Sequence, residues 1–270
     1  MTTAIWLSAL FLGVLEGLTE FLPVSSTGHL ILARLLIDFH DHGDVFTIVV
    51  QLGAILAVCL VYWRRLLGVT LGLGRDPAAQ RFVRNILVAF LPAMVIGAAA
   101  HGFIKRVLFS PEVGPWVIAT ALLLGGIIML VVERRAPEPE VHDVDALSTR
   151  RALAIGFFQV MAMIPGVSRS GATIVGSLML GVERRAAMEF SFFLAIPTMA
   201  GATAFDLYKN WALLGSGEWN VIAIGLAAAF VTALLVVRSV IGFIGRFGFA
   251  PFAWYRIAAG CLMLAVLTLR

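Results

Sequence analysis

The strongest constraint on this chain is a series of long apolar runs. Residues 45 to 63, VFTIVVQLGAILAVCLVYW, carry no charge, and a helix of about 20 apolar residues crosses a bilayer core about 30 Å thick. Similar runs lie near residues 86–100, 116–132, 190–205, 219–237 and 252–269. Charged residues make up only 13% of the chain, whereas soluble domains carry about 25%. The sequence therefore predicts an all-α polytopic membrane protein with six transmembrane helices.

Composition excludes several other classes of protein. The 270 residues leave no room for a sizeable soluble domain beside the spans. The net charge of +4 comes from basic residues in short loops, which is typical of membrane topology signals and argues against nucleic-acid binding. The N-terminus lacks the positive region and the cleavage site of a signal peptide. Cys59 and Cys261 lie in apolar runs without metal spacing, which predicts two buried thiols rather than a disulfide.

Two further segments, residues 4–36 and 151–182, are apolar but interrupted. The interruptions are LPVSSTGH in the first segment and IPGVSRSG in the second. Non-helical backbone at membrane depth is tolerated only where protein or a wet cavity covers it. The basic residues collect on one side of the membrane only if each segment enters and leaves by the same face. We therefore interpret both as re-entrant hairpins, the first from outside and the second from the cytoplasm. The alternative is that each is a kinked transmembrane helix.

The two hairpins also resemble each other. GVLEGLTEFLPVSSTG matches GFFQVMAMIPGVSRSG, which aligns Gly13 with Gly156 and Gly28 with Gly171. Interrupted segments at matching places in two halves of opposite orientation are typical of an inverted repeat with its site at the repeat interface. The sequence thus predicts a single membrane domain, 1–270, with repeat halves of about 1–135 and 150–270 and a flexible surface linker, 136–149.

A pair of carboxylates is the first candidate for chemistry. Glu16 and Glu20 are four residues apart, so both project from one face of a helix. An ionisable group in a membrane segment costs about 3 kcal/mol by insertion scales and normally faces a polar interior. Close carboxylates repel each other, which favours a shared proton or a bound divalent cation. The sequence predicts a metal-binding or acid–base pair, and two glutamates near the surface end of a helix are the alternative.

Hydroxyl groups follow at the break of the first hairpin. Ser25, Ser26 and Thr27 come after Pro23 and before a second apolar arm, which predicts a helix N-terminus with a Ser or Thr cap. One cap explains one hydroxyl but not three. A helix N-terminus also binds anions, and His29 can act as a base or an acid beside a hydroxyl nucleophile. This stretch is therefore a candidate site for an anion and a nucleophile.

The second hairpin supplies a cation and further hydroxyls, namely Arg169, Ser168, Ser170 and Thr173. A guanidinium in this position needs a partner, and its planar fork suits phosphate oxygens. An internal ion pair of Arg169 with Glu16 or Glu20 is the alternative. Neither hairpin has the spacing of a nucleotide-binding loop or of a Cys/His metal motif.

Other polar residues give weaker signals. Gln159 falls close to Glu16 in the repeat match and could line the same cavity. For the remaining residues in or beside spans we expect helix packing or interfacial positions: Gln51, Glu189, Asp206 and His101. A solvated loop is expected after the first hairpin, at His40, Asp41, His42 and Asp44.

The two hairpin motifs resemble the signatures of the undecaprenyl-diphosphate phosphatase family, the bacitracin-resistance membrane phosphatases. The motifs are EGLTEFLPVSSTGHL and PGVSRSGATI, and QLGAILAV, YWRRL, EFSFFLAIP, GATAFDLYK and PFAWYR also resemble the family. The resemblance implies hydrolysis of undecaprenyl diphosphate to undecaprenyl phosphate and inorganic phosphate, which recycles the carrier for cell-wall synthesis and confers bacitracin resistance. It also implies a multi-pass protein of the bacterial inner membrane, a divalent cation, a homodimer, and a site open to the outer, periplasmic side.

Carried over to this chain, the resemblance assigns catalysis to Glu16, Glu20, Ser26, His29 and Arg169. Our mechanistic hypothesis combines this resemblance with the chemistry of the side chains: the two glutamates hold Mg²⁺ or Ca²⁺, and Arg169 binds the diphosphate. Ser26 attacks with help from His29 or Glu20, or a metal-activated water attacks while Ser26 only binds phosphate. Substrate contacts are expected from the neighbouring hydroxyls, Ser25, Thr27, Ser168, Ser170 and Thr173.

Transport is the alternative function. Inverted repeats with broken hairpins are also a transporter architecture, so the chain could move the lipid phosphate across the bilayer as a flippase, with or without hydrolysis. A carrier, however, needs no set of hydroxyl, histidine and carboxylate groups. A structural scaffold would leave the ionisable groups inside the membrane segments unexplained.

Overall fold

The computed structural model describes residues 2–39, 45–210 and 219–269. Within these ranges the regular structure is helical, apart from an isolated bridge between Val141 and Val182. The helices are α1 Thr2–Thr19, α2 Ser26–Leu36, α3 Val45–Val61, α4 Trp63–Gly72, α5 Pro77–Phe103, α6 Gly114–Arg135, α7 Thr149–Val160, α8 Arg169–Met179, α9 Arg184–Asn210, α10 Trp219–Phe247 and α11 Ala250–Thr268. The expected His40, Asp41, His42 and Asp44 loop lies outside the described residues, as does the side chain of Asp206.

Long apolar helices confirm an all-α polytopic membrane protein. Five of the described helices are long and apolar enough to cross a bilayer, namely α5, α6, α9 as far as Phe205, α10 and α11. The run at 45–63 differs from the prediction, because α3 ends at Val61 and α4 leaves at an angle of 76°. Only α3 and α4 together meet the length of a sixth span. Tyr62, between them, belongs to neither helix.

The interrupted segments form hairpins of short helices. α1 and α2 contact each other, as do α7 and α8, whereas the two parts of a kinked continuous helix would lie end to end. α2 and α8 have 11 residues each, which at 1.5 Å per residue gives about half the thickness of a bilayer core. These arms are therefore too short to cross alone. The membrane face from which each hairpin enters stays a prediction.

Helix partners are exchanged between the two halves of the chain. α1 packs on α10 and α7 packs on α5, while α6 and α11 pack on each other. Glycines allow the close approach: a Cβ at Gly13 would lie 2.8 Å from the Ala228 side chain, and one at Gly156 would lie 2.9 Å from Ala89 Cα. A two-fold relation between the halves produces such an exchange, so the packing agrees with the predicted repeat. Its boundaries and inverted orientation remain predictions.

The segment between the halves, 136–149, is anchored rather than flexible. Val141, Val144 and Leu147 are buried with side chains of α5, α7 and α9, and Asn85 Nδ2 donates to Leu147 O at 2.7 Å. Its acidic residues and His142 lie on the surface, as expected. The hydrophobic effect holds this segment, because three apolar side chains point inward from an otherwise polar connection.

Several single residues differ from expectation or refine it. Arg256 lies inside α11 and is buried, with 1% of its surface exposed, whereas the basic residues were expected in short loops. Cys59 and Cys261 are free thiols, but Cys59 is only half-buried and Cys261 is exposed, so neither is fully buried as expected. Glu189 pairs with Arg185 one helical turn away, at 3.3 Å, which agrees with a packing or interfacial role.

Candidate active site

The two hairpin breaks end in the same type of helix cap. Ser25 caps α2 and Ser168 caps α8, each accepting a hydrogen bond from the backbone N–H of a glycine, Gly28 at 3.4 Å and Gly171 at 3.1 Å. Both serines have a positive φ, 72° and 76°. A non-glycine residue in this region stores about 1–3 kcal/mol of strain and persists only where the surroundings impose it. Both caps thus direct free helix N-termini toward the space between the hairpins.

Glu20 connects the two hairpins. One of its carboxylate oxygens, Oε2, accepts a short hydrogen bond from the hydroxyl of Ser26, and the other, Oε1, accepts from Arg169 Nη2 at 3.0 Å. Arg169 also donates to Ser191 O at 2.7 Å, while its Nε has no partner among the described residues. A carboxylate on a hydroxyl, oriented by a third group, is the arrangement that activates a nucleophile.

Glu16 lies beside Glu20 and is fully buried. Neither of its carboxylate oxygens has a hydrogen-bond donor among the described residues, and the carboxyl group of Glu20 is its polar neighbour. Buried polar groups are almost always paired, so we expect these oxygens to bind a proton or a cation. The described residues contain no group of three or more His, Cys, Asp or Glu side chains arranged to hold a metal ion. Two carboxylates suit Mg²⁺, which binds through one or two carboxylates together with substrate phosphates and water.

His29 is held away from the nucleophile candidate. Its Nδ1 lies 2.7 Å from Ser25 O, and because a carbonyl only accepts, Nδ1 carries the donated hydrogen. Its Nε2 lies 2.5 Å from the hydroxyl of Tyr255 on α11, and the two rings are stacked at 5.6 Å. In the neutral ring Nε2 therefore accepts from Tyr255. The described contacts of Ser26 thus place Glu20, rather than His29, on its hydroxyl.

The other hydroxyls of the second hairpin hold the backbone in position. Ser170 Oγ donates to Leu22 O at 2.9 Å, which joins the second break to the first. The Thr173 hydroxyl donates to Arg169 O at 2.9 Å and lies 2.7 Å from Ser191 Oγ. Ser170 and Thr173 therefore support the site, and their contact with substrate stays a prediction.

Arg256 is a site residue that the sequence interpretation missed. Its guanidinium donates to five backbone carbonyls, those of Pro23, Leu122, Ala121, Gly166 and Val167, at 2.9 to 3.5 Å. These carbonyls belong to the first break, α6 and the second break. Its signal was an arginine inside the apolar run of the last helix, because ionisable residues at membrane depth are normally functional.

A cavity of about 570 Å³ opens between the hairpins. Its polar part is lined by Glu20, Ser25, Ser26, Thr27, Ser168 and Arg169, with Gln51, Gln159 and Thr198. Its apolar part, on α5, α9 and the residues after α5, includes Phe90, Met94, His101, Phe109 and Phe205. Among the predicted site residues, Glu16, His29, Ser170 and Thr173 are not part of this lining. A space of this size and composition suits a ligand with a charged head and an apolar chain.

The chain matches the family described as bacitracin resistance protein BacA over residues 9–262. The chain belongs to this family. The BacA match includes both hairpin breaks and the whole of α2 to α10.

Individual relatives agree with this assignment. The chain is 56% identical over 267 residues to the undecaprenyl-diphosphatase of Cereibacter sphaeroides, covering 99% of this chain and 98% of that protein. It is 56% identical over 265 residues to undecaprenyl-diphosphatase 2 of Paramagnetospirillum magneticum, covering 98% and 100% of the two chains. It is 52% identical over 262 residues to the undecaprenyl-diphosphatase of Caulobacter vibrioides, covering 97% of each.

Proposed function

We propose that this membrane protein hydrolyses undecaprenyl diphosphate to undecaprenyl phosphate and inorganic phosphate. Its BacA membership and its undecaprenyl-diphosphatase relatives support this activity. The observation that carries the chemistry is the contact of Glu20 with both Ser26 and Arg169 at the polar end of the cavity. The reaction returns the lipid carrier to cell-wall synthesis and counteracts bacitracin.

The shape of the cavity fits an isoprenoid diphosphate. The charged headgroup matches the part lined by Arg169 and the two hairpin N-termini, because guanidinium groups and free helix N–H groups bind phosphate. The apolar part accepts the beginning of the isoprenoid chain, and the rest of the chain remains in the bilayer. A diphosphate competes with Glu20 for Arg169, which releases Glu20 to act as a base.

Ser26 is the nucleophile in the simplest sequence of steps. Its Oγ attacks the terminal phosphorus, its hydrogen passes to Glu20, and the bond from that phosphorus to the bridging oxygen breaks. Undecaprenyl phosphate leaves, and water then hydrolyses the phosphoserine to inorganic phosphate and free Ser26. In the second version water attacks directly with Glu20 as its base, and Ser26 binds phosphate.

Glu16 and Glu20 would hold a divalent cation, Mg²⁺ or Ca²⁺. The two unpartnered oxygens of Glu16 support this assignment, since a buried carboxylate without donors is a ligand for a hard cation. When bound, the ion would neutralise charge on the diphosphate. The chain's own residues bind, orient and deprotonate as described above.

The cavity is proposed to open to the periplasmic side of the bacterial inner membrane. Its apolar part follows α5 and α9 toward their C-terminal ends, where His101 and Phe205 meet with ring centroids 5.4 Å apart. The distribution of basic residues assigns those ends to the outer face. A homodimer is proposed on the family resemblance alone, and light scattering in detergent would measure its mass.

Phosphate release from undecaprenyl diphosphate by detergent-purified protein tests the function. We expect wild-type release to stop with chelator, and Glu20→Gln and Arg169→Ala to lose at least about 100-fold in kcat/KM, as is typical for removal of a catalytic base or a charge-stabilising group. The matched controls Glu138→Gln and Arg150→Ala change exposed residues and should retain activity.

Each negative outcome has its own meaning in this assay. If the wild type released no phosphate, transport of the lipid as a flippase would be the remaining function. Detergent-purified protein has no membrane with two sides, so a flippase would give no signal in this assay. Equal activity of Glu20→Gln, Arg169→Ala and wild type would refute the site. Near-normal turnover of Ser26→Ala would exclude a phosphoserine and leave water as the nucleophile.

A further inference from the structure

Gln159 has a buried amide that the fold does not use. It lies on α7 with 2% of its surface exposed, and it lines the same cavity as Glu20, Ser26 and Arg169. Its Nε2 has no hydrogen-bond partner among the described residues. A buried donor without a partner destabilises the folded protein. Such a group in a native structure requires an explanation, and a ligand that accepts hydrogen bonds provides one.

The neighbours of Gln159 support this explanation. Its Oε1 lies 3.2 Å from the hydroxyl of Thr198 on α9, and that hydroxyl also lies 2.8 Å from Leu194 O in its own helix. Thr198 therefore has a partner without Gln159. The contact holds the carbonyl end of the amide, and its NH₂ group has no hydrogen-bond partner among the described residues. Packing alone would be served by an apolar side chain of similar size.

Gln159 and Thr198 mark the boundary between the polar and apolar parts of the cavity. Along α9 the lining begins at Thr198 and continues with apolar residues as far as Phe205. The Phe90 ring lies next to Gly201, where a Cβ would be 3.5 Å from it. Arg169, at the polar end of the cavity, donates to Ser191 O and reaches the Met199 sulfur at 3.8 Å. Thr198, which contacts Gln159, is thus next in sequence to a residue that Arg169 reaches and one turn before the apolar lining at Gly201 and Ala202.

A lipid diphosphate likewise joins a charged end to an apolar chain. Its terminal phosphate must reach Ser26 and Glu20, and its isoprenoid chain matches the apolar groove, so the second phosphate lies at the boundary. Resting on the proposed function, we infer that Gln159, held by Thr198, binds the phosphate that carries the isoprenoid. This phosphate remains on the product, so Gln159 contributes to the binding of both substrate and product.

Binding of isoprenyl monophosphate tests this role without turnover. Farnesyl phosphate is titrated into detergent-purified wild type, Gln159→Leu and Gln159→Glu, with Gln80→Leu as the matched exposed control. We expect the Kd to rise about tenfold or more in Gln159→Leu, as for a lost hydrogen bond to a charged group. It should rise further in Gln159→Glu, which adds a repelling charge. Inhibition by inorganic phosphate should not change.

Stability separates binding from a structural role. Replacing an unpaired buried amide by leucine should leave the midpoint of thermal unfolding unchanged or raise it. An unchanged Kd for farnesyl phosphate in Gln159→Leu would overturn the inference, as would a lowered unfolding midpoint accompanied by weaker binding. If Gln159→Leu instead weakened inhibition by inorganic phosphate alone, the amide would contact the terminal phosphate and the assignment would be wrong. Failure of the proposed hydrolysis would appear separately, as wild-type protein that binds farnesyl phosphate but releases no phosphate from the diphosphate.

Discussion

Arg256→Lys is the most informative single change in this protein. The guanidinium is buried without an ion-pair partner among the described residues and serves five carbonyls. Three of these carbonyls, those of Pro23, Gly166 and Val167, lie outside helices. Arg256 is their hydrogen-bond partner in the described structure. Lysine keeps the buried charge but removes the fork, so the effect of the lost hydrogen bonds is measured separately from the effect of removing a charge.

The magnitude follows from the geometry of the donors. Nη1 reaches Pro23 and Val167, while Nη2 reaches Gly166 and Ala121. An ammonium is a single point with three donors, so it cannot serve both ends of the fork. We expect at least one loop carbonyl to lose its partner, which lowers the free energy of unfolding by about 1–3 kcal/mol. The hairpin breaks also carry Ser26 and Arg169, and misplacement by about 1 Å can reduce activity about 100-fold.

Thermal unfolding and phosphate release in detergent provide the assay. Arg238→Lys is the matched control, because Arg238 is an exposed arginine of α10, where a substitution should change stability by less than about 0.5 kcal/mol. We expect Arg256→Lys to unfold several degrees lower and to lose at least about tenfold in kcat/KM. The reasoning is refuted if both lysine variants unfold at the same temperature and retain equal activity.

Two further changes test the orientation of His29 and the close packing of the helices. Tyr255→Phe removes the hydroxyl that contacts Nε2 of His29 and should lower kcat/KM by about threefold to tenfold. The control Trp254→Phe changes an exposed neighbour and should leave kcat/KM unchanged. Equal kcat/KM values for the two variants would contradict an orienting role of Tyr255. Gly156→Ala places a Cβ against α5 and should lower the unfolding temperature. In the control Gly68→Ala the new Cβ meets no atom within 4 Å, and the higher helix propensity of alanine should raise the unfolding temperature slightly. A higher unfolding temperature for Gly156→Ala than for Gly68→Ala would refute the close packing of α7 on α5.

The sequence predicted the elements that depend on local signals. Apolar runs located the long helices, and the Pro, Gly and Ser content of the two interruptions located the hairpin breaks. The segment 136–149 was misjudged as flexible, although its apolar residues at 141, 144 and 147 already recur with a spacing that lets one face be buried. Its Pro, Glu and Asp residues dominated the interpretation, and the partners of its apolar side chains lie far away in sequence.

Contacts between distant segments could not be predicted in the same way. The sequence left open whether Glu16 or Glu20 would pair with Arg169, and the structure gives the direct contact to Glu20. His29 could equally have faced Ser26, because both follow the same cap. Its orientation depends on Tyr255, more than 200 residues later. The partners of Arg256 could not be predicted either, because its five carbonyls lie on three separate segments and no local pattern indicates them.

The two hairpins carry different side chains at positions equally spaced from their serine caps. When the caps Ser25 and Ser168 are superposed in register, Glu16 corresponds to Gln159 and Ser26 corresponds to Arg169. Glu16 and Gln159 are both buried with unpartnered polar atoms, one a carboxyl group and the other an amide that can donate. A lipid diphosphate is itself asymmetric, with one end to be cleaved and one end to be retained. Two identical hairpins could not distinguish these ends, whereas a hairpin with a carboxylate and hydroxyl and a hairpin with an amide and guanidinium can.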